Sequence, residues 1–269
     1  MGAYAVRFDV GPDLWMTTVG DDDIRSRARR RARLRSWARG VWRRAREAGA
    51  PRAARYMMLV TVGGRRESPV LAAETLKPVI DAGTDEHMWP DDDPTHRVMT
   101  CYLRDPRPLP GGRALLHVWV IPLPAGDPVA RLLACAPGAQ GFLIGAPVDD
   151  DTWLTSNMRL PDAERKRRQE RAMRLARRAW EGHAVGERCG VVCQVSYPHP
   201  DFIGDPDNTA ETATAMWGAG VLDRRAPATP DVFAFTVADT PSPPHSHAMR
   251  LLVFDTPDDP AWPLRLTDA

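Results

Sequence analysis

Ala3-Tyr-Ala-Val-Arg-Phe-Asp-Val-Gly-Pro-Asp-Leu-Trp15-Met-Thr17 aligns without a gap on Gly141-Phe-Leu-Ile-Gly-Ala-Pro-Val-Asp-Asp-Asp-Thr-Trp153-Leu-Thr155, 138 residues further along. Each segment is a short apolar strand, an acidic turn, then Trp, an apolar residue and Thr. The likeness continues outward from this anchor. An arginine-rich helix follows in both places, over Asp23 to Ala48 and Asp162 to Gly182. Next come Tyr56-Met-Met-Leu-Val-Thr-Val and Cys189-Gly-Val-Val-Cys-Gln-Val, which read as buried strands. Ala73-Glu-Thr returns as Ala210-Glu-Thr and Asp81-Ala-Gly as Gly218-Ala-Gly, both 137 residues on. Val98-Met-Thr-Cys matches Val232-Phe-Ala-Phe, and the closing strands are Leu115-Leu-His-Val-Trp-Val-Ile and Met249-Arg-Leu-Leu-Val-Phe.

Matches that keep one order along the chain predict an internal duplication. Each copy reads strand, long helix, strand, helix, strand, strand, an α+β pattern. Copy 1 is placed at 1–125, a Pro/Gly-rich linker with a short helix at 126–139, and copy 2 at 140–269. Related copies of this size pack about a pseudo-twofold axis as homodimer subunits do. The expectation is a single-chain pseudo-dimer, able to act as a monomeric chain. Two unrelated α+β domains with a similar element order are the alternative.

Composition narrows the function classes. A chain of 269 residues can build two cores. With 43% hydrophobic and 26% charged residues it reads as an ordinary globular protein. It has no apolar run long enough to span a bilayer and no signal-like N-terminus, so the expectation is a cytoplasmic protein with no membrane partner. Its 36 basic residues nearly balance 35 acidic ones. Overall charge therefore cannot hold a polyanion, and local clustering must. Cys189 and Cys193 are not spaced as a zinc knuckle, and with Cys101 and Cys135 they read as buried thiols. Only Lys77 and Lys166 are lysines among many arginines.

The first basic helix carries eleven arginines from Arg25 to Arg46 and no acidic residue between them. Its apolar stripe reads Leu34, Trp37, Ala38, Val41 and Ala45, and Asp21, Asp22 and Asp23 are placed to cap it. The second stripe reads Leu175, Ala176, Ala179 and Trp180. A solvated charged face normally mixes signs at i and i+4. Unbroken like charge predicts a nearby anion, with Arg29, Arg30, Arg33, Lys166, Arg167 and Arg171 gripping nucleic-acid phosphates.

Carboxylates group in two places. One is Ala73-Glu74-Thr-Leu-Lys77-Pro-Val-Ile-Asp81, running on to Trp89-Pro-Asp91-Asp92-Asp93; the other is Gly204-Asp205-Pro-Asp207-Asn208. Oxygen-rich clusters at element ends suit Mg²⁺, which takes one or two protein carboxylates plus water and phosphate. Turn chemistry is the competing reading of such Asp-rich loops. His87 and His96 flank the Asp run and read as solvent-facing. Pro241-Ser-Pro-Pro-His-Ser-His reads as a hairpin loop, and Asp258 to Pro263 as an extended arm.

Lys77-x₃-Asp81 followed by Trp89-x-Asp91-Asp92 ahead of a strand resembles the RusA-like Holliday junction resolvases. Their pattern is Asp-x-Asp-Asn, then Lys-x₃-Asp, then Asp-Asp. Asp205-Pro-Asp207-Asn208 resembles its first part, and Trp153-Leu-Thr-Ser-Asn157 the turn ahead of that family's basic helix. The resemblance implies a Mg²⁺-dependent endodeoxyribonuclease acting on branched DNA. Asp91, Asp92, Asp205 and Asp207 would hold metal, with Glu74 as a substitute ligand. Lys77, Asp91 and Asp92 would be catalytic, Lys77 by steadying charge on the phosphate. Copy 1 lacks Asp-x-Asp, and copy 2 lacks Asp-Asp and has Thr214 in place of Lys77. Either the parts combine between halves or both sites have decayed. The alternatives are a DNA-binding pseudo-nuclease and a module that contacts an acidic protein.

Overall fold

The fold is that of a computed structural model, which describes residues 2–17, 24–105, 114–155, 157–158, 160–199 and 203–268. Asp21, Asp22 and Asp23, read above as helix caps, lie outside these residues. The chain is mixed α+β. In order it forms β1 (Tyr4–Val10), α1 (Ile24–Glu47), β2 (Tyr56–Gly63), α2 (Ala73–Asp85), β3 (Arg97–Arg104), β4 (Ala114–Pro122) and α3 (Pro128–Leu133). Then follow β5 (Gly141–Asp149), α4 (Asp162–Ala179), β6 (Cys189–Ser196), α5 (Ala210–Leu222), β7 (Val232–Val237) and β8 (Ser246–Asp255).

The eight strands make one sheet in the order β1-β4-β2-β3-β7-β6-β8-β5. From the two ends inward, β1-β4-β2-β3 is met by β5-β8-β6-β7. β2 pairs β3 in parallel through α2, and β6 pairs β7 in parallel through α5. The halves are fused at the centre, where β3 and β7 pair antiparallel from Thr100↔Phe235 to Leu103↔Val232.

Individual contacts recur at the spacing read from the sequence. Thr75 Oγ1 closes a two-way bridge to the backbone of Met16, and Thr212 Oγ1 does the same to Leu154. The Trp42 indole N–H donates to Val79 O at 2.8 Å, and that of Trp180 to Met216 O at 3.2 Å. Gly83 and Gly220 are the helix positions on which large rings rest: a Cβ there would overlap Trp89 and Trp180 respectively.

The four long helices cover one face, α1 against α2 and α4 against α5. The buried stripe of α1 is Leu34, Ala38 and Trp42, and that of α4 is Ala172 and Ala176, continued by Trp180. Trp37 and Leu175, read above as stripe residues, are 38% and 37% exposed. The stripe centre is one residue off because Trp42 and Trp180, whose N–H groups need a buried acceptor, fix the helix rotation. On the other face, Leu132, Cys135, Ala136, Trp262 and Leu266 pack on the sheet beside Met57, Leu59, Met99 and Cys101. The linker is thus part of the core. The expected C-terminal arm is instead a 3₁₀ helix (Trp262–Thr267) with Trp262 fully buried, because an indole of that size has an apolar sheet face to cover. The expected hairpin before β8 is a crossover: β7 and β8 are separated in the sheet by β6. His247 in it stacks on Trp153, with ring centroids 3.8 Å apart. All four cysteines are buried free thiols. Among the described residues no helix is long and apolar enough to cross a membrane.

Candidate functional site

The arginines of α1 find their anions within the chain. Arg31 grips Glu74 with two bonds of 2.7 and 2.8 Å. Arg35 grips Asp85 with bonds of 2.8 and 2.7 Å and reaches Asp81 at 3.4 Å. Arg39, Arg43 and Arg46 converge on Glu86, which lies just past the end of α2 and is almost wholly buried. The hydrogen bond from Arg43 holds the Glu86 carboxyl below its usual range. α4 repeats the first pair: Arg165 clamps Glu211 as Arg31 clamps Glu74. Arg31, Arg35, Arg39, Arg43 and Arg46 of α1 therefore find their carboxylates within the chain rather than on an external anion.

The six expected phosphate contacts separate accordingly. Arg33 pairs with Asp13, Arg167 with Glu164, Arg171 with the carbonyl of Asp151 and Arg30 with that of Trp15. Arg29 and Lys166 are exposed and have no ion-pair partner among the described residues. The same holds for Arg44, Arg174 and Arg178, which the sequence reading left unassigned.

The acidic parts held by the two halves do meet. Lys77, in the second turn of α2, points its ammonium across to the loop before α5. It donates to Asn208 Oδ1 at 2.8 Å, to Asn157 Oδ1 at 3.1 Å and to Asp205 Oδ2 at 3.4 Å. Backbone bonds from Asn208 N to Asp205 O and from Ala210 N to Asp207 O wind that loop into successive turns, which brings both aspartates to the halves' boundary.

At the centre sits a residue that the sequence reading missed. Arg97 opens β3 and is 1% exposed. A register shift where β3 meets β2 leaves Val98 and Met99 both on the rear face. Arg97 consequently faces the helix layer with Thr100 and Tyr102, as such irregularities re-aim side chains. Its guanidinium donates to Asp207 Oδ1 at 2.9 Å, to Thr100 Oγ1 at 2.6 Å and to the carbonyl of Asp92 at 3.3 Å. It also lies 3.8 Å from the Asp92 carboxylate and 4.0 Å from that of Asp205. Tyr102 hydrogen-bonds the second oxygen of Asp207.

Charge follows from this geometry. Burial raises the affinity of Asp207 for a proton, but the Arg97 charge and the Tyr102 and Arg97 hydrogen bonds outweigh it and hold the carboxyl low. Asp92 goes the other way. Burial, with the Asp205 and Asp81 charges added, pushes it up to about 7 against the pull of Arg97. The hydroxyl of Tyr56, buried and without a hydrogen-bond partner, feels Arg97, Asp92 and Asp205 as well.

Two expected ligands stay outside the cluster. Asp91 is exposed and accepts the backbone N–H of Asp92 at 2.8 Å, which is turn chemistry. Glu74 is committed to Arg31. Asp93 caps Thr95 and His96 in the same way, so of the three consecutive aspartates only Asp92 turns inward. His96 is bound to Asp93 at 2.9 Å.

These residues do not fit a divalent cation. Both oxygens of Asp207 are occupied, by Arg97 and Tyr102, and Asp205 Oδ2 is shared by Lys77 and Asn208. An ion between Asp92 and Asp205 would sit beside the Arg97 guanidinium. Two like unit charges about 4 Å apart repel by about 4 kcal/mol at an effective dielectric of about 20, and a divalent ion doubles that. Among the described residues no three His, Cys, Asp or Glu side chains are grouped to hold a metal. The neighbouring cleft, lined by Glu74, Lys77, Asp207, Asn208 and Glu211, has room for about one water, far less than a phosphodiester needs.

The titration of Asp92 gives a measurable signature. Its carboxyl ionises near 3.8 when unfolded and near 7 when folded. Folding therefore holds the proton more tightly. The associated stability is fully present below pH 4 and lost as the pH rises through 7, a difference of about 2–4 kcal/mol. Asp92→Asn removes that dependence. The variant should melt above wild type at pH 8 and together with it at pH 4, as followed by circular dichroism; equal melting at both would deny the inward, desolvated position.

No family model matches the chain, and a search of characterised proteins finds no match either.

Proposed function

We propose that the protein is a doubled RusA-like unit that binds branched DNA and holds it without hydrolysis. The carrying observation is the composite cluster: acidic and basic residues that resemble one resolvase set come from both halves, yet a buried arginine and a tyrosine occupy the oxygens a metal would need. Binding would rest on the unpaired cations Arg29, Arg44, Lys166, Arg174 and Arg178. The exposed pairs of Arg33 and Arg167 can also yield to phosphate, since exposed ion pairs contribute about 0–1 kcal/mol.

Gel shift and anisotropy titrations with a four-way junction and a matched duplex test this reading. Junction binding should weaken steeply with salt, and Arg29→Ala or Lys166→Ala should each reduce the log–log salt slope by about one. The junction should remain intact with Mg²⁺. Failure to bind junction or duplex at about 50 mM salt would end the DNA reading and leave an acidic protein partner.

Hydrolysis is a second reading, favoured by one observation: the Asp205 charge lies close enough to raise the proton affinity of both Asp81 and Asp92. Junction cleavage by the wild type that disappears in Asp92→Asn would establish it.

A further inference from the structure

We infer that Arg97 is a built-in counter-ion standing where a divalent cation would otherwise stand, and that removing it opens a divalent-cation site on Asp92, Asp205 and Asp207. The inference rests on the metal-free reading of the cluster and extends it to a specific residue.

Three observations carry it. First, a single guanidinium approaches all three carboxylates, at 2.9 Å for Asp207, 3.8 Å for Asp92 and 4.0 Å for Asp205. Those aspartates come from both halves, and the guanidinium also holds the Asp92 carbonyl at 3.3 Å. One cation bridging acidic groups from separate elements is the task a metal performs in such clusters. Second, the charge is permanent. A guanidinium keeps its proton throughout the accessible pH range, so the position is never vacated by titration. Third, the mirrored place carries neither the Asp-x-Asp nor the arginine. Ser68, Val70 and Leu71 stand 137 residues before Asp205, Asp207 and Asn208. Asp231 stands before Val232 as Arg97 stands before Val98, and it pairs instead with Arg188 at 2.9 Å. Arginine and Asp-x-Asp are thus present together across the boundary and absent together in the mirrored place.

The test is Mn²⁺ binding without DNA, read by electron paramagnetic resonance of the free ion and by thermal melting. Wild type should show no saturable site and no shift in Tm. Arg97→Gln, similar in length but neutral, should gain one site with an affinity at least about a hundredfold above wild type. Its Tm should rise with Mn²⁺, as for any ligand bound only by the folded state. Adding Asp92→Asn to that variant should weaken the site. A folded Arg97→Gln chain that binds no Mn²⁺ would overturn the inference, as would one that stays unfolded at every Mn²⁺ concentration. A saturable wild-type site that depends on Asp92 would overturn it irrespective of the variant. Junction binding is scored separately, so the DNA reading and this one can fail independently.

Discussion

Arg97→Ala should lower the unfolding free energy by about 3–5 kcal/mol in buffer free of divalent ions, the range for a buried ion pair that loses one partner. The size comes from what is left behind. Asp207 is buried and keeps only Tyr102 as a side-chain partner once the guanidinium is gone. Asp92 and Asp205 lose the charge that offsets their mutual repulsion. Thr100 Oγ1 loses its donor at 2.6 Å. A double variant separates lost attraction from stranded charge. If stranded charge dominates, Arg97→Met combined with Asp207→Asn should be clearly more stable than Arg97→Met alone, because Asp207, the carboxylate that the guanidinium contacts directly, is then neutral. Urea denaturation measures all three proteins. A loss below about 1 kcal/mol for Arg97→Ala would mean that solvent reaches the cluster freely, and the case for a closed site would go with it.

The contrast between Arg97 and α1 shows which parts of this molecule can be read along the chain. Strands such as Tyr56-Met-Met-Leu-Val-Thr-Val announce themselves because burial on both faces makes nearly every position apolar. The spacing of 137–138 residues is legible because Thr75 and Thr212, or Trp42 and Trp180, do the same work in both halves. Unbroken positive charge on α1 correctly requires an anion. Its source was not legible, because Asp85 and Glu86 lie 40–50 residues away from the arginines they bind and only helix packing brings them together. Arg97 is the extreme case. Its Asp207 partner is 110 residues distant and on the other half, and its inward aim depends on a shift of strand register. One local signal did exist: a charged residue directly ahead of Val98-Met-Thr-Cys, an otherwise apolar strand start, has to be paired if the strand is buried.

Trp42→Ala and Trp180→Ala should each cost about 3–5 kcal/mol, the range for deleting a large buried aromatic side chain. Trp42 is fully buried between Phe8 and Trp89, at centroid distances of 5.2 and 5.1 Å, and its N–H is satisfied only by Val79 O. Trp180 rests on Trp217 at 5.5 Å and over Gly220, with Met216 O as acceptor. Trp37 of α1, 38% exposed and edge-on to Phe8 at 6.0 Å, should cost less than either when replaced, which separates depth of burial from residue type. The two core variants also probe whether the halves fold as one. They sit in opposite halves, yet β3 and β7 pair at the centre of a common sheet and the Arg97–Asp207 bond crosses the same boundary. Weakening one half should therefore pull down both. Calorimetry of Trp42→Ala should show a single transition at lower temperature, with calorimetric and van't Hoff enthalpies in agreement. Two resolved transitions, the upper one at the wild-type temperature, would mean that each half holds its structure alone and that the central ladder joins two independent units.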